Sequence, residues 1–243
     1  MGKTLFVVSD IHGYYRELMQ ALADAGFDRD NEDHLFISCG DLFDRGQENR
    51  LVYDFVRSLP RKILLRGNHE DMLYQVLEQG YLEDFHITNG TDITLREFLG
   101  EDALDAHGRF DREAHLAIIR ELQAFIDAMA DYYESGVYIF THGWLPVAFD
   151  GRYPYVREDF RDATLEEWQF AHEQEWQQFY DVGAVLDGKT IVCGHRAATL
   201  GHMFDPFRFP DCSKPFYGTG MIAIDAGTVR SGRINVLVIR EDT

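Results

Sequence analysis

Short apolar runs at 5–8, 35–38, 63–65, 137–140, 190–193, 221–224 and 234–239 punctuate the chain. Between them, at 15–25, 48–58, 70–79, 91–99, 113–135 and 164–180, apolar residues return at helical intervals. A short unbroken apolar run bounded by polar residues reads as a strand buried on both faces, and its alternation with amphipathic helices predicts an α/β fold. The mostly helical stretch 70–136 separates the third strand end from the fourth and is expected to be an insertion or cap within a single domain spanning 1–243. The segments 146–163 and 206–215 are the least regular, and such loops often carry specificity.

The first five runs share an ending. Each is followed by side chains that bind metals: Asp10-Ile11-His12-Gly13, Gly40-Asp41, Gly67-Asn68-His69, Thr141-His142-Gly143 and Gly194-His195. Ligands of open α/β sheets bind beyond the carboxyl ends of the strands, so these side chains are expected on one side of one sheet. Taken singly each motif has a plainer reading, such as Asp10 or Asn68 capping the next helix. Gly40-Asp41-Leu42-Phe43-Asp44-Arg45-Gly46 is more specific, because it crowds two carboxylates and a guanidinium between glycines directly after a strand. Together, Asp10, His12, Asp41, Asn68, His142 and His195 form an oxygen and nitrogen ligand set without thiolate, which suits two catalytic ions of manganese, iron or zinc.

Composition narrows the class. The 243 residues are 45% hydrophobic and 27% charged, as in an ordinary folded domain. Lys and Arg number 23 against 42 Asp and Glu, a net charge of −19 that disfavours stable nucleic-acid binding. Cys39, Cys193 and Cys212 form neither a disulfide framework nor a zinc ribbon, and the first apolar run is too short for a signal peptide or membrane span. A cytoplasmic protein without membrane attachment is therefore expected. Cys39 and Cys193 read as small buried strand residues; His34, His86, His107, His115 and His202 have no ligand context, whereas His172 is placed to face the cleft or pack in a helix.

The five motifs, with Asp44-Arg45-Gly46 and Leu65-Arg66-Gly67-Asn68-His69-Glu70, resemble those of the calcineurin-like metallophosphoesterases over nearly the whole chain. Within that superfamily they are similar to the serine/threonine protein phosphatase branch of bacterial and phage type, which bacterial diadenosine tetraphosphate hydrolases also resemble. The segment Asn89-Gly90-Thr91-Asp92-Ile93-Thr94-Leu95 looks like a softer match to the bacterial phosphatases. The resemblance implies an αββα two-sheet sandwich and a dimetal phosphoesterase whose activated water attacks phosphorus, with manganese expected ahead of iron or zinc. It assigns Asp10 and His12 to the first metal, Asp41 to both, and Asn68, His142 and His195 to the second. His69 paired with Asp44 would be the proton donor, and Arg45, Asn68 and His69 would bind the substrate phosphate.

Two divalent ions against the carboxylates of Asp10 and Asp41 would leave the centre at about +2 within an acidic surround. Such a site favours compact phosphoesters or phosphorylated peptides over polyanions. A dinucleoside polyphosphate hydrolase is the alternative, and an inactive metal-binding scaffold a lesser one. Arg66, Arg152, Arg157, Arg161 and Arg196 are open candidates for a further phosphate contact.

Overall fold

The computed structural model describes residues 2–180, 185–186, 188–203 and 212–241. Two sheets, rather than the one sheet anticipated from the strand ends, lie face to face. In the first, β1 (Thr4–Val8), β2 (His34–Ser38) and β3 (Lys62–Leu64) run parallel, and β11 (Leu237–Arg240) closes the β1 edge antiparallel. In the second the order is β4 (Tyr132–Ser135), β5 (Tyr138–Thr141), β8 (Thr190–Cys193), β10 (Met221–Ala223) and β9 (Phe216–Gly218). Its three central strands are parallel and its two edge strands antiparallel.

The period-2 alternation of a strand explains why both sheets read as continuous apolar runs. Leu5, Val7 and Ile37 of the first sheet meet Phe140, Val192 and Ile222 of the second in the core between the sheets. Val8 and Phe36 belong instead to a core with Leu18 and Leu22 of α1 (Tyr15–Ala25) and Val52 and Val56 of α2 (Asn49–Ser58). On the far side, Ile139, Ile191 and Cys193 pack with Trp168 of α7 (Leu165–His172) and Trp176 of α8 (Trp176–Tyr180). The layers are therefore helix, sheet, sheet and helix, with strands covered on both faces.

Helices α3 (Asn68–Gln79) and α5 (Thr91–Leu99) fall where the periodicity puts them, with α4 (Asp84–Asn89) as an unforeseen turn and a half between. The helix expected over 113–135 is wrong in its second half. It ends as α6 (Leu116–Asp127), and Tyr132–Ser135 becomes the edge strand β4, paired with β5 from Tyr132↔Thr141 to Ser135↔Tyr138. Aromatic Tyr132 and Tyr133 suit a pleated surface, and Gly136 takes the left-handed turn (φ 57°) that returns the chain.

The helix expected over 164–180 is also broken, because the last carbonyls of α7 lie against Gly143. A Cβ there would stand 2.3 Å from the His172 carbonyl oxygen, so the chain after α7 tucks under the loop that carries His142. The irregular stretch 146–163 folds into a hairpin of β6 (Val147–Phe149) and β7 (Pro154–Val156) and a 3-10 turn at Phe160–Asp162. Of the other irregular stretch, residues 206–211 lie outside the described residues. Short helices α9 (Thr199–Met203) and α10 (Thr228–Ser231) complete the chain. Among the described residues no helix is long and apolar enough to cross a membrane.

Phe140 is fully buried between the two sheets, two residues before His142. Phe140→Ala is expected to lower unfolding free energy by about 3–5 kcal/mol, measured by urea denaturation, because the cavity cannot collapse between two covered sheets.

Candidate dimetal centre

All the motif side chains gather where β1, β2 and β3 of one sheet and β5 and β8 of the other end. The backbone there is unusual. Among the described residues, the non-glycine positions with positive φ are Asp10 (52°), His12 (50°), Asp41 (55°), Asp44 (73°), Arg45 (67°) and His195 (63°). Each such turn costs about 1–3 kcal/mol and persists only where its surroundings hold it. Here every one belongs to a motif residue, at the ends of β1, β2 and β8 or in the loop after β2.

Glycines supply the room. A Cβ on Gly194 would fall 1.8 Å from Ser9 Oγ and 2.2 Å from Asp10 Oδ2, so β8 can approach β1 only without a side chain there. Asp10 Oδ2 in turn accepts from the Ser9 hydroxyl and from the His195 amide (3.0 Å). One carboxylate thereby fixes the second sheet's histidine loop to the first sheet's strand end.

Glu70, whose role the sequence does not reveal, is fully buried and accepts three amide bonds: Asp41 N–H (2.9 Å), Leu42 N–H (2.8 Å) and Gly67 N–H (2.8 Å). It sits at the third position of α3, where a carboxylate reaching back to the residue before the helix is a familiar capping arrangement. Here it also staples the Asp41 loop to the helix that begins with Asn68. Burial, with the neighbouring charge of Asp41, pushes the Glu70 carboxyl up to about 7.

The donor atoms fall into two groups that share Asp41. In one, Asn68 Oδ1 lies 3.0 Å from His142 Nε2 and 3.0 Å from His195 Nδ1, and Asp41 Oδ1 lies 3.3 Å from His142 Nε2. In the other, His12 Nε2 is 3.7 Å from Asp41 Oδ2 and 4.0 Å from Asp10 Oδ1, and His69 Nε2 is 3.9 Å from Asp41 Oδ2. His12, Asp41 and His69, and likewise Asp41, His142 and His195, each offer ligand atoms within 4.8 Å of one another. Ligands about 2.1 Å from a common ion stand roughly 3.0–3.4 Å apart in octahedral or tetrahedral arrangement. The Asn68 group already has that spacing; the His12 group would close by about half an ångström.

The hydrogen-bond chemistry fits the same occupant. His142 Nδ1–H donates to the Cys39 carbonyl (2.7 Å) and His12 Nδ1–H to the Phe43 carbonyl (2.9 Å), so each ring turns Nε2 toward the carboxylates. Such backbone bonds fix the tautomer of a ligating histidine. His142 Nε2 then faces only the oxygens of Asn68 and Asp41, an arrangement satisfied by a proton or a cation. Burial opposes a charged His142, but Asp41 and then Asp10 outweigh it and push the imidazole up to about 10. Burial instead takes His12 and His195 down to about 3, leaving neutral donors. Asp41 is held well below the carboxylate range by His142 and His69 despite burial, whereas burial and Asp225 hold Asp10 well above it.

Next to this centre, His69 Nδ1–H donates to Asp44 Oδ2 (2.8 Å), and Arg45, exposed at its tip, reaches His69 Nε2 (3.1 Å) and Asn89 Oδ1 (3.3 Å). A calcineurin-like phosphoesterase model matches residues 3–198 of the sequence. The chain belongs to the calcineurin-like phosphoesterase family. This phosphoesterase is 25% identical over 236 residues to serine/threonine-protein phosphatase 2 of Salmonella typhimurium, a match covering 97% of this chain and 93% of the relative. It is 24% identical over 230 residues to an asymmetrical bis(5'-nucleosyl)-tetraphosphatase of Bacillus subtilis, covering 84% and 90%. Its fold is shared with a solved metallophosphoesterase of Sphaerobacter thermophilus (TM-score 0.51, 17% identity, 98% of this chain and 88% of that one).

The phosphoesterase leaves the other sequence candidates outside the centre. Arg66 is buried and paired with Asp71 (2.5 Å), Arg157 with Asp159 and Glu167, Arg161 with Glu134, and Arg196 with Glu175. Arg152 lies over the Tyr153 ring. His172 does not face the cleft; it is fully buried and bonds Asp71 Oδ2 (2.9 Å). Cys39 and Cys193 are buried with thiols pushed up by burial, as expected of inert strand residues. Asp225 was missed from sequence. It ends the sixth apolar run, is 6% exposed, accepts from Gly227 N–H (2.6 Å) and is pushed up to about 6 by burial. The strand-end rule that singled out the first five runs applies to it equally.

Glu70→Gln places an amide NH2 against backbone donors and is expected to destabilise the protein by about 1–3 kcal/mol, with loss of metal content by elemental analysis. The raised pKa of His142 has a definite sign. Its proton stabilises the metal-free fold fully below the unfolded value of about 6.5, and this is lost as pH rises through about 10. A cation must displace that proton, so affinity for Mn²⁺ is expected to tighten from pH 7 toward pH 10 with proton release. Calorimetry in two buffers of different ionisation enthalpy counts the protons, and a count of zero contradicts the assignment.

Proposed function

We propose that this phosphoesterase hydrolyses phosphomonoesters of the serine/threonine phosphoprotein type. In this reading Asp10, His12 and Asp41 hold one ion, Asp41, Asn68, His142 and His195 hold a second, and manganese is the first expectation, ahead of iron or zinc. The whole chain, 1–243, is one phosphoesterase domain; of the expected insertion 70–136, Glu70 at its start serves the centre and Tyr132–Ser135 near its end is strand β4, so the helical insertion is the part between them. The observation that carries the proposal is the convergence of His142 Nε2, His195 Nδ1 and Asn68 Oδ1 at 3.0 Å beside a carboxylate shared with His12. Two bound cations would supply Lewis-acid charge and an activated water.

The protein's own groups provide the rest. Arg45 and His69 Nε2 adjoin at 3.1 Å, so a phosphate oxygen clamped by the guanidinium is within reach of the imidazole. Asn68, the residue before His69, is a further phosphate contact in this reading. Burial works against a charged His69, but Asp41 and the bond to Asp44 raise its pKa above the ordinary value. In the structure the Arg45 guanidinium donates to Nε2; once a phosphate oxygen takes that guanidinium, a protonated Nε2 can give its proton to the departing alkoxide, and Asp44 stabilises the Nδ1–H that remains.

Available cations set the substrate class. A polyphosphate chain needs several, and four of the five candidate arginines are committed to acidic partners. Arg45 remains beside His69, which suits a single phosphoryl group. The match to the Salmonella phosphatase over 97% of this chain points the same way. The named Bacillus tetraphosphatase keeps dinucleoside tetraphosphates as the competing substrate.

With Mn²⁺ added, kcat/KM on phosphoserine and phosphothreonine peptides is expected to exceed that on diadenosine tetraphosphate, and chelation to abolish both. The reverse order replaces the phosphoprotein reading, turnover that survives chelation overturns the dimetal mechanism, and absent turnover revives a binding scaffold. His69→Asn is expected to keep its metal while losing ~10²–10⁴-fold in turnover on phosphoserine peptide.

A further inference from the structure

The segment Asn89–Leu95 has no part in binding ions or phosphate in the reading above, yet it touches both members of the machinery beside them. Helix α4 ends at Gly90 in the left-handed conformation (φ 85°) and α5 starts at Thr91. Thr91 and Thr94, three residues apart on one helix face, are both fully buried. The Thr91 hydroxyl donates to Asp44 Oδ2 (2.8 Å) and the Thr94 hydroxyl to Asp44 Oδ1 (2.6 Å). Thr94 Oγ1 also accepts the Asp44 amide (3.0 Å).

The Asp44 carboxylate is thus gripped on each oxygen by a separate hydroxyl, and a further donor to it is His69 Nδ1–H (2.8 Å on Oδ2). A carboxylate held at one oxygen can swing about its Cβ–Cγ bond; held at both it cannot. Asp44 and Arg45 are consecutive left-handed residues (φ 73° and 67°), a conformation that local preference does not maintain. The α4–α5 corner supplies the restraint. Asn89 Oδ1 accepts from Arg45 (3.3 Å), and a Cβ on Gly90 would lie 2.5 Å from Arg45 N.

We infer that Thr91 and Thr94 are positioning residues for the proton donor. By fixing the plane of Asp44 they fix the direction and tautomer of the His69 imidazole, so Nε2 stays turned to the substrate side, where it meets Arg45. The inference rests on the reading of His69 as the acid, and its experiment separates the two. A buried carboxylate could be satisfied by any donors; the distinguishing feature is that both its oxygens are set by one helix while its imidazole partner starts another.

The test uses full-length protein loaded with diamagnetic Zn²⁺ for NMR and with Mn²⁺ for kinetics. Thr91→Val and Thr94→Val remove each hydroxyl at nearly constant volume, and Thr91→Ser and Thr94→Ser retain it. In the starting protein the Nδ1–H held by Asp44 is expected as a downfield imidazole resonance, assigned by its loss in His69→Asn. The valine variants are expected to shift or broaden that signal and the serine variants to restore it. Turnover of an alkyl phosphate should fall by up to about 10²-fold in the valine variants, while 4-nitrophenyl phosphate, whose leaving group needs little protonation, changes much less.

If the resonance is unmoved in folded valine variants, the positioning role is wrong. If it moves, is rescued by serine, and both substrates slow equally, the positioning role stands and the acid role of His69 falls. Loss of signal that serine does not rescue also overturns the proposal, because it reports packing rather than the hydroxyl. Should Thr94→Val fail to fold, Thr91→Val alone decides, since the Thr91 hydroxyl contacts Asp44 through Oδ2 only.

Discussion

The centre depends on backbone that turns the wrong way for L residues. Six side chains that carry or flank the proposed chemistry sit at positive φ, at the ends of β1, β2 and β8 and in the loop after β2. A strand delivers its side chains alternately to two covered faces, so an ordinary continuation would bury Asp10, Asp41 or His195 in a core. The left-handed turn takes each out of that alternation and aims it along the strand direction, into the crevice where the sheets end. Everything else around the site serves to hold those turns: glycines at the points of closest approach, and carboxylates wherever backbone amides would be left without a partner.

Glu70 is the clearest case. Its carboxylate satisfies three amides of the two loops that follow the paired strands β2 and β3, and it does so from the first turn of α3, whose own start carries Asn68 and His69. Asp41 returns the favour by accepting the His69 amide (3.0 Å). Metal-side and substrate-side groups therefore share one scaffold of buried charge. That scaffold is expensive unless all its members are present, since each buried carboxylate is stabilised by donors the others help to place.

Much of this is legible in the sequence. The convergence of Asp10, His12, Asp41, Asn68, His142 and His195 is readable because a strand buried on both faces is an unbroken apolar run, and polar side chains at its carboxyl end stand out against it. The two-sheet arrangement is not readable from the runs themselves, since a strand in either sheet has the same pattern; only the resemblance carries it. Tyr132–Ser135 passes for helix because four residues cannot establish a period, and the aromatic pair also continues the helical spacing of α6. Glu70 looks like part of a helix start, which it is; its second task shows only when distant loops are in place. Arg66 and His172 look available because sequence does not reveal that Asp71 lies between them, 2.5 and 2.9 Å away.

The sharing of the proposed ligand set between sheets carries a consequence for how the molecule comes apart. Asp10, His12, Asp41 and Asn68 hang from the first sheet, His142 and His195 from the second, and the bond between Asn68 and His142 spans 74 residues of chain. Any cation seated there is a clasp across the sandwich, closing a long loop without a covalent link. Stripped of it, the two sheets are held at that end by the Asp10 bond to the His195 amide and the His142 bond to the Cys39 carbonyl, and the crevice becomes the natural place for the layers to part. Amide exchange would then report the ion from a distance: β5 and β8 would lose protection in the stripped protein well before global unfolding, although neither strand contributes a backbone atom to the site.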